Sequence, residues 1–220
     1  MRKFTTTAPI TTVLDIPAGL VRFIAADRAD TTVEVLPADA SKSRDVKVAE
    51  QTTVEYHDGV LRIQATAKHQ ILGSSGSVEV TVQLPAGSRV ETKAASAELR
   101  GVGRLGAVTF DGAEGVVKLD EAASVHLTTH AGNVTVGRLT GDAGISTGKG
   151  DIRIAEAVRG KVVLTTQAGD VTVGAAAGVS ASLDAGTTYG RIHNSLKNTG
   201  EPDLIIQATT AAGDITASSL

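Results

Sequence analysis

A short phrase recurs through the C-terminal half of this chain: Thr-x-x-Gly, then Asp or Asn, then two apolar β-formers spaced two apart. It reads Thr129-His130-Ala131-Gly132-Asn133-Val134-Thr135-Val136, then Thr147-Gly148-Lys149-Gly150-Asp151-Ile152-Arg153-Ile154. Thr166-Gln167-Ala168-Gly169-Asp170-Val171-Thr172-Val173 and Thr210-Ala211-Ala212-Gly213-Asp214-Ile215-Thr216-Ala217 follow, with a degenerate copy at Thr187-Thr188-Tyr189-Gly190-Arg191-Ile192. Successive glycines lie 18, 19, 21 and 23 residues apart. Self-similarity near a period of twenty predicts a stacked architecture in which each unit buries its apolar face only against its neighbours.

Strand residues two apart share a face, so each copy can be phased on its glycine. Positions two and four beyond it are Val134/Val136, Ile152/Ile154, Val171/Val173, Ile192/Asn194 and Ile215/Ala217. Gly115 extends the phase to Val117/Leu119, and Ala97 in the glycine slot extends it to Leu99/Gly101. These positions read as inward, and their alternates Thr135, Arg153, Thr172 and Thr216 as outward. The fold class that follows is all-β: a parallel β-solenoid of two-strand rungs joined at Gly-Asp corners, about seven rungs over residues 87–220. The glycine slot calls for positive φ, and the adjoining Asp is expected to bond its own turn. The inward Thr is expected to bond the corner backbone or the Thr of the next rung, because a buried hydroxyl without a partner costs about 1–3 kcal/mol.

Residues 1–86 read as an irregular β region continuous with the stack and capping it. Strands are expected over 11–16, 20–25, 31–36 and 78–84, with Pro17-Ala18-Gly19 and Pro85-Ala86-Gly87 as type I turns. His57-Asp58-Gly59 marks a hairpin. Residues 41–51 carry the only helical spacing, and Ala67–Ser77 reads as a glycine-serine loop.

Composition narrows the function classes. A net charge of -3 gives no broad basic field for nucleic acid. Three Phe, two Tyr and no Trp leave few platforms for stacking sugars or bases. Without cysteine there is no disulfide framework and no thiolate metal or redox site. Neither a secretory leader nor a stretch long enough to span a bilayer is visible, so a cytoplasmic location is the expectation if Met1 is the natural start.

Several motifs invite a sharper reading. Gly101-Val102-Gly103-Arg104-Leu105-Gly106 spells the dinucleotide pattern, but Ala107-Val108-Thr109-Phe110 continues as strand where a Rossmann site requires a helix. Residues 144–150 echo a P-loop, yet Ala143 occupies the first glycine position and Gly150 replaces the magnesium-binding hydroxyl. The column Asn133, Asp151, Asp170, Arg191, Asp214 resembles a calcium β-roll, with Arg191 interrupting it and only one Gly-Asp per rung. His126 and His130 share an outward face but lack a third zinc ligand. Asp151, Arg153, Arg191, Asp184 and Lys118 occupy outer positions of the kind used by β-helix polysaccharide lyases, without an identifiable carboxylate pair. Thr128, Thr165 and Thr209, with Ser146 between them, form one outward hydroxyl column, too narrow for an ordered-surface binder. No catalytic, cofactor-binding or metal-ligating residue is nominated, and no cofactor is called for.

Pro-Ala-Gly after a β-strand, the stretch 21–30 (VRFIAADRAD), Ser96-Ala97-Glu98-Leu99-Arg100-Gly101 and the iterated Thr-x-x-Gly-Asp phrase together resemble the bacterial β-strand-repeat family of putative adhesins, domain of unknown function 4097. The alanine- and glycine-rich style is similar to actinobacterial members. The resemblance covers nearly the whole chain; it implies the β-repeat fold and offers no catalytic residues to carry over. The function expected is a non-enzymatic scaffold or adhesin-like protein with a protein partner, and an exposed solenoid end offers a route to oligomerisation. The alternative is a carbohydrate-active β-helix enzyme of lyase or hydrolase type.

Overall fold

The computed structural model describes residues 1–65 and 76–220. In chain order its elements are β1 (Arg2–Thr5), β2 (Thr11–Ala26), β3 (Asp30–Pro37), α1 (Ser43–Gln51), β4 (Thr52–His57), β5 (Val60–Ala65) and β6 (Val78–Pro85). Next come β7 (Arg89–Glu114), β8 (Val117–Ala131), β9 (Val134–Leu139), β10 (Ala143–Lys149), β11 (Ile152–Ala157) and β12 (Gly160–Ala168). The chain closes with β13 (Val171–Ala175), β14 (Ala181–Tyr189), β15 (Ile192–Ser195), β16 (Leu204–Ala212) and β17 (Ile215–Ser219). The loop expected over Ala67–Ser77 lies outside the described residues apart from Gly76 and Ser77.

Each rung has a leading leg, which ends at the Thr slot, and a trailing leg, which begins after the glycine. Leading legs stack in parallel on leading legs, and trailing on trailing, so β8 meets β10 and β9 meets β11 in register. Inward columns run straight through the stack: Val21, Leu99, Val117, Val134, Ile152, Val171 and Ile215 are all buried in one continuous core. Early rungs have no break at their corners. β2 runs through Pro17-Ala18-Gly19, where a turn was expected, because Gly19 (φ +143°) is a rung corner and Ala18 and Gly19 pair with Ser96 and Ala97. β7 holds three legs in one strand, and the Gly106 N–H donating to the Ser88 carbonyl (2.8 Å) sets its third leg beside its first.

At residues 85–88 the expected turn is present but shifted by one. The Ser88 N–H donates to the Pro85 carbonyl, so Pro85 takes the first position and Gly87 (φ +80°) the third. That positive φ makes the turn type II rather than type I. Asp58 (φ 51°) and Gly59 (φ 78°) join β4 to β5 as an antiparallel hairpin with the paired positive φ of a type I′ turn.

The rungs do not stack in chain order. At one end, β2 lies between β7 on one side and β5 with β6 on the other, although β5 and β6 come later in the chain. At the other end, β16 and β17 lie between β12/β13 and β14/β15. The rung formed by β14 and β15 is therefore last in space but not in sequence. Its residues explain why. Ile192 and Asn194, expected to point inward, are exposed, Ile192 by 46%. In an interior rung the Asn194 amide would be buried without partners, at a cost of about 1–3 kcal/mol, so the degenerate copy sits where solvent reaches it. Antiparallel β3 and β4 flank β6 and β5 at the opposite end, with β1 paired to β3. Among the described residues no helix is long and apolar enough to cross a membrane.

Candidate functional site

The corner columns show what the repeated phrase is for. A Cβ added to Gly169 would lie 2.1 Å from the Gly150 carbonyl oxygen, and one on Gly213 would lie 2.0 Å from that of Gly169. Only glycine lets successive corners approach so closely, and φ at both is positive. The Thr166, Thr210 and Thr187 hydroxyls donate to the carbonyls of Gly150, Gly169 and Gly213, each at 3.0 Å. The acidic column behaves differently from expectation: its side chains do not bond their own turns. Asn133 Oδ1 accepts the Asp151 N–H (2.9 Å), Asp151 Oδ1 that of Asp170 (2.9 Å), Asp170 Oδ1 that of Asp214 (2.8 Å) and Asp214 Oδ1 that of Arg191 (2.8 Å). Arg191 thus ends the ladder instead of interrupting it, because its rung is the last. One oxygen of each acid is committed to the backbone, and each acid stands about 4.8 Å from the next.

The remaining residues singled out from the sequence do not converge. Lys118 and Arg153 lie on the outer side of trailing legs, Arg191 at the last corner, and Asp184 on the outer side of β14. Gly101–Gly106 lies inside β7, and residues 144–150 are β10 plus its corner. His126 and His130 do share the outer face of β8, and among the described residues no three His, Asp or Glu side chains gather as metal ligands.

Stacking brings two things together that the sequence kept apart. The first is a trench on the leading-leg face. Its floor is β10, whose outward residues Gly144, Ser146 and Gly148 carry almost no side-chain bulk. One wall is His126, Thr128 and His130 of β8; the other is Val163, Thr165 and Gln167 of β12. The walls are two rungs apart, about 9.6 Å. At one end the trench opens into a hollow of about 590 Å³ bounded by Ser124, His126, Asp142, Gly144, Lys161 and Val163. Asp142 is tied down there by the Lys161 N–H (2.8 Å). Thr128, Ser146, Thr165 and Thr209 are exposed, and their hydroxyls have no partner among the described residues. On β12 and on β16 beside it the face carries Val163 and Ile205, 36% and 42% exposed.

The second is a shallower hollow of about 430 Å³ at the corner edge of the same face, where Asp15, Lys93, Asp111 and His130 meet. Asp15 and Lys93 are direct register partners, and Asp111 follows one rung on, so a lysine stands between two carboxylates. Sequence reasoning passed over Asp15 and Asp111. The signal was the eighteen-residue phase, which carries Lys93 onto Asp111 once the stack is extended back to β2.

No curated protein matches the chain. Solved structures do. A putative adhesin from Bacteroides fragilis is 13% identical, with 98% of this chain and 95% of that one covered at a TM-score of 0.58, which supports the same fold. A putative cell adhesion protein from Clostridium sporogenes is 14% identical over 100% and 98% of the two chains (TM-score 0.41), and a putative adhesin from Parabacteroides distasonis 14% over 98% and 95% (TM-score 0.43). The Toastrack DUF4097 family model matches residues 13–219. With the repeat, the solenoid-like stack and that match in agreement, the chain belongs to the Toastrack DUF4097 family.

Proposed function

We propose that this chain is a non-catalytic β-repeat scaffold that binds a protein partner across the trenched face. The observation that carries the reading is the run of outward hydroxyls on β8, β10, β12 and β16, without partners among the described residues and bordered by half-exposed Val163 and Ile205. Interfaces of moderate size combine such apolar area with polar groups that find partners only on binding. The rigid stack presents these groups at fixed spacing, so little ordering is needed when a partner docks. The adhesin names borne by its structural relatives agree with an interaction role. A cytoplasmic location belongs to the same proposal and is checked by cell fractionation.

Gly144→Lys tests the reading. Gly144 does not have positive φ, and a Cβ there meets only the movable His126 ring, with Nδ1 at 3.2 Å, so the variant fills the trench without backbone strain. Affinity capture from native lysate should recover a protein with the wild type and with Arg153→Ala, and lose it with Gly144→Lys. Equal capture by all three removes the trench from the proposal.

A second reading, a carbohydrate-active enzyme, rests on the Asp15–Lys93–Asp111–His130 hollow. The two carboxylates stand two rungs apart, about 9.6 Å between backbones, near the upper separation of inverting glycosidases. Turnover of an acidic or neutral polysaccharide that disappears in Asp111→Asn, with the fold intact, would favour it over the scaffold.

A further inference from the structure

We infer that residues 181–203 form an end cap that keeps the β16–β17 edge from pairing with a second copy of this chain. Five observations carry this. Among the described residues the cap rung is bonded on one side only: β14 pairs with β16 and β15 with β17, and neither has another parallel neighbour there. It enters and leaves the stack at one stem, where the Asp203 N–H donates to the Ser180 carbonyl (2.9 Å) and the Thr199 N–H to Ser180 Oγ (3.1 Å). Its contacts are those any further rung would make. The Arg191 N–H donates to the Asp214 carboxylate, and the Thr187 hydroxyl donates to the Gly213 carbonyl.

What the cap lacks is the means to pass the stack on. Where the body rungs carry Asp, Arg191 offers no acceptor to a following N–H. Where they carry a buried apolar residue it has Asn194, and all four residues of β15 are exposed. The edge beneath is complete by contrast: Leu204, Ile206, Ala208 and Ile215 are buried, and Asp214 holds its carboxylate toward the next corner. An uncovered parallel edge of that quality is a template for another chain. With the cap gone, a second copy offers the same bare edge, whose alternating N–H and C=O groups can pair with it in antiparallel fashion. The pairing would be tail to tail about a two-fold axis, β16 against β16, which closes at a dimer.

The register supplies a clean test. Cap and underlying rung are offset by 23 residues, with Ala181 beside Leu204. Deleting 181–203 joins Ser180 to Leu204 and returns the Gly169-to-Gly213 step to 21 residues, the spacing of Gly169 to Gly190 in the native chain. Light scattering after size exclusion, over a hundredfold concentration range, should find the wild type monomeric and the deletion variant dimeric. A folded, monomeric deletion variant overturns the proposal. Should the deletion prevent folding, full-length Arg191→Asp/Asn194→Val decides. That pair restores the onward acceptor and the apolar column on the outermost rung, and it should self-associate with rising concentration. If it stays monomeric, or if the wild type associates as strongly as either variant, the inference fails.

Discussion

Because the stacking order departs from chain order, it can be tested covalently. Thr172 and Thr216 are register partners on neighbouring trailing legs, and like Asp170 and Asp214 beside them they lie 44 residues apart. Their Cα atoms are separated by one strand spacing, about 4.8 Å, inside the window a disulfide requires. Chain-order stacking would instead place Thr172 beside His193. In the observed order those two are two strand spacings apart with β17 between them, about 9.6 Å, too far to bridge without moving backbone. The protein has no cysteine of its own, so each engineered pair reports unambiguously. Thr172→Cys/Thr216→Cys should oxidise spontaneously, and so should His193→Cys/Thr216→Cys, whose positions also pair. Thr172→Cys/His193→Cys should stay reduced. Closing a 44-residue loop removes about 4 kcal/mol of unfolded-chain entropy at most, by the chain-entropy relation. The first pair should therefore raise the urea midpoint under oxidising conditions only, by an amount below that ceiling because parallel partners accept the bond with some strain. Non-reducing electrophoresis and thiol titration read the outcome directly. Ready cross-linking of 172 to 193 with none of 172 to 216 would refute the assigned order.

Three further outcomes follow from the geometry. Gly169→Val should cost more than about 3 kcal/mol, since it combines a strongly disfavoured φ with a Cβ driven onto the Gly150 carbonyl. Asp170→Asn, which keeps the accepting oxygen, should cost under about 1 kcal/mol, and equal urea midpoints for the two would contradict the corner assignment. Thr12 and Thr92 are buried with hydroxyls that lack partners among the described residues, so Thr12→Val and Thr92→Val should each raise the melting temperature, by about 1 kcal/mol in stability; a fall would mean the hydroxyls are satisfied. Asp30 is held down from 3.8 to about 2 by its hydrogen bond to Arg28 and then by Lys3. A depressed carboxylate stabilises the fold above its unfolded pKa and loses that contribution as pH falls through its folded one, so wild type should lose its advantage over Asp30→Asn between pH 4 and pH 2. Parallel acid-unfolding curves for the two would count against the ion pair.

The phase of the stack was legible because side chains alternate strictly along a strand and only glycine tolerates the corner, so Gly132, Gly150, Gly169 and Gly213 fix every inward position near them. The order was not legible. Every copy carries the same phrase, so any rung has nearly the same affinity for any other, and what tells the cap apart is Arg191 and Asn194, which read as mere degeneracy in one dimension. The role of β2 as a rung was hidden for a related reason: its corner glycine, Gly19, lies two residues after Pro17 and imitates a turn, while Ile16 stands where later rungs have Thr. The candidate site fared worse. Gly144 and Gly148 looked like fragments of a phosphate loop, and only register with His126 and Val163 turns their missing side chains into a trench.

Placing β16 and β17 inside the stack sets a condition on synthesis. The ribosome delivers residues 204–219 after residues 181–203, yet their slot adjoins β12 and β13, which emerge earlier. During that interval the free edge of β13 faces β15, which carries a near copy of the sequence due to arrive there, and a rung settled one place too low must leave before β16 and β17 can take their slot. Elongation proceeds at about 5–20 residues per second, so the delay is seconds long, ample for strands to pair. The weakness of Ile192 and Asn194 as core residues then acquires a kinetic meaning: a rung that binds the wrong neighbour poorly gives way quickly when β16 and β17 appear.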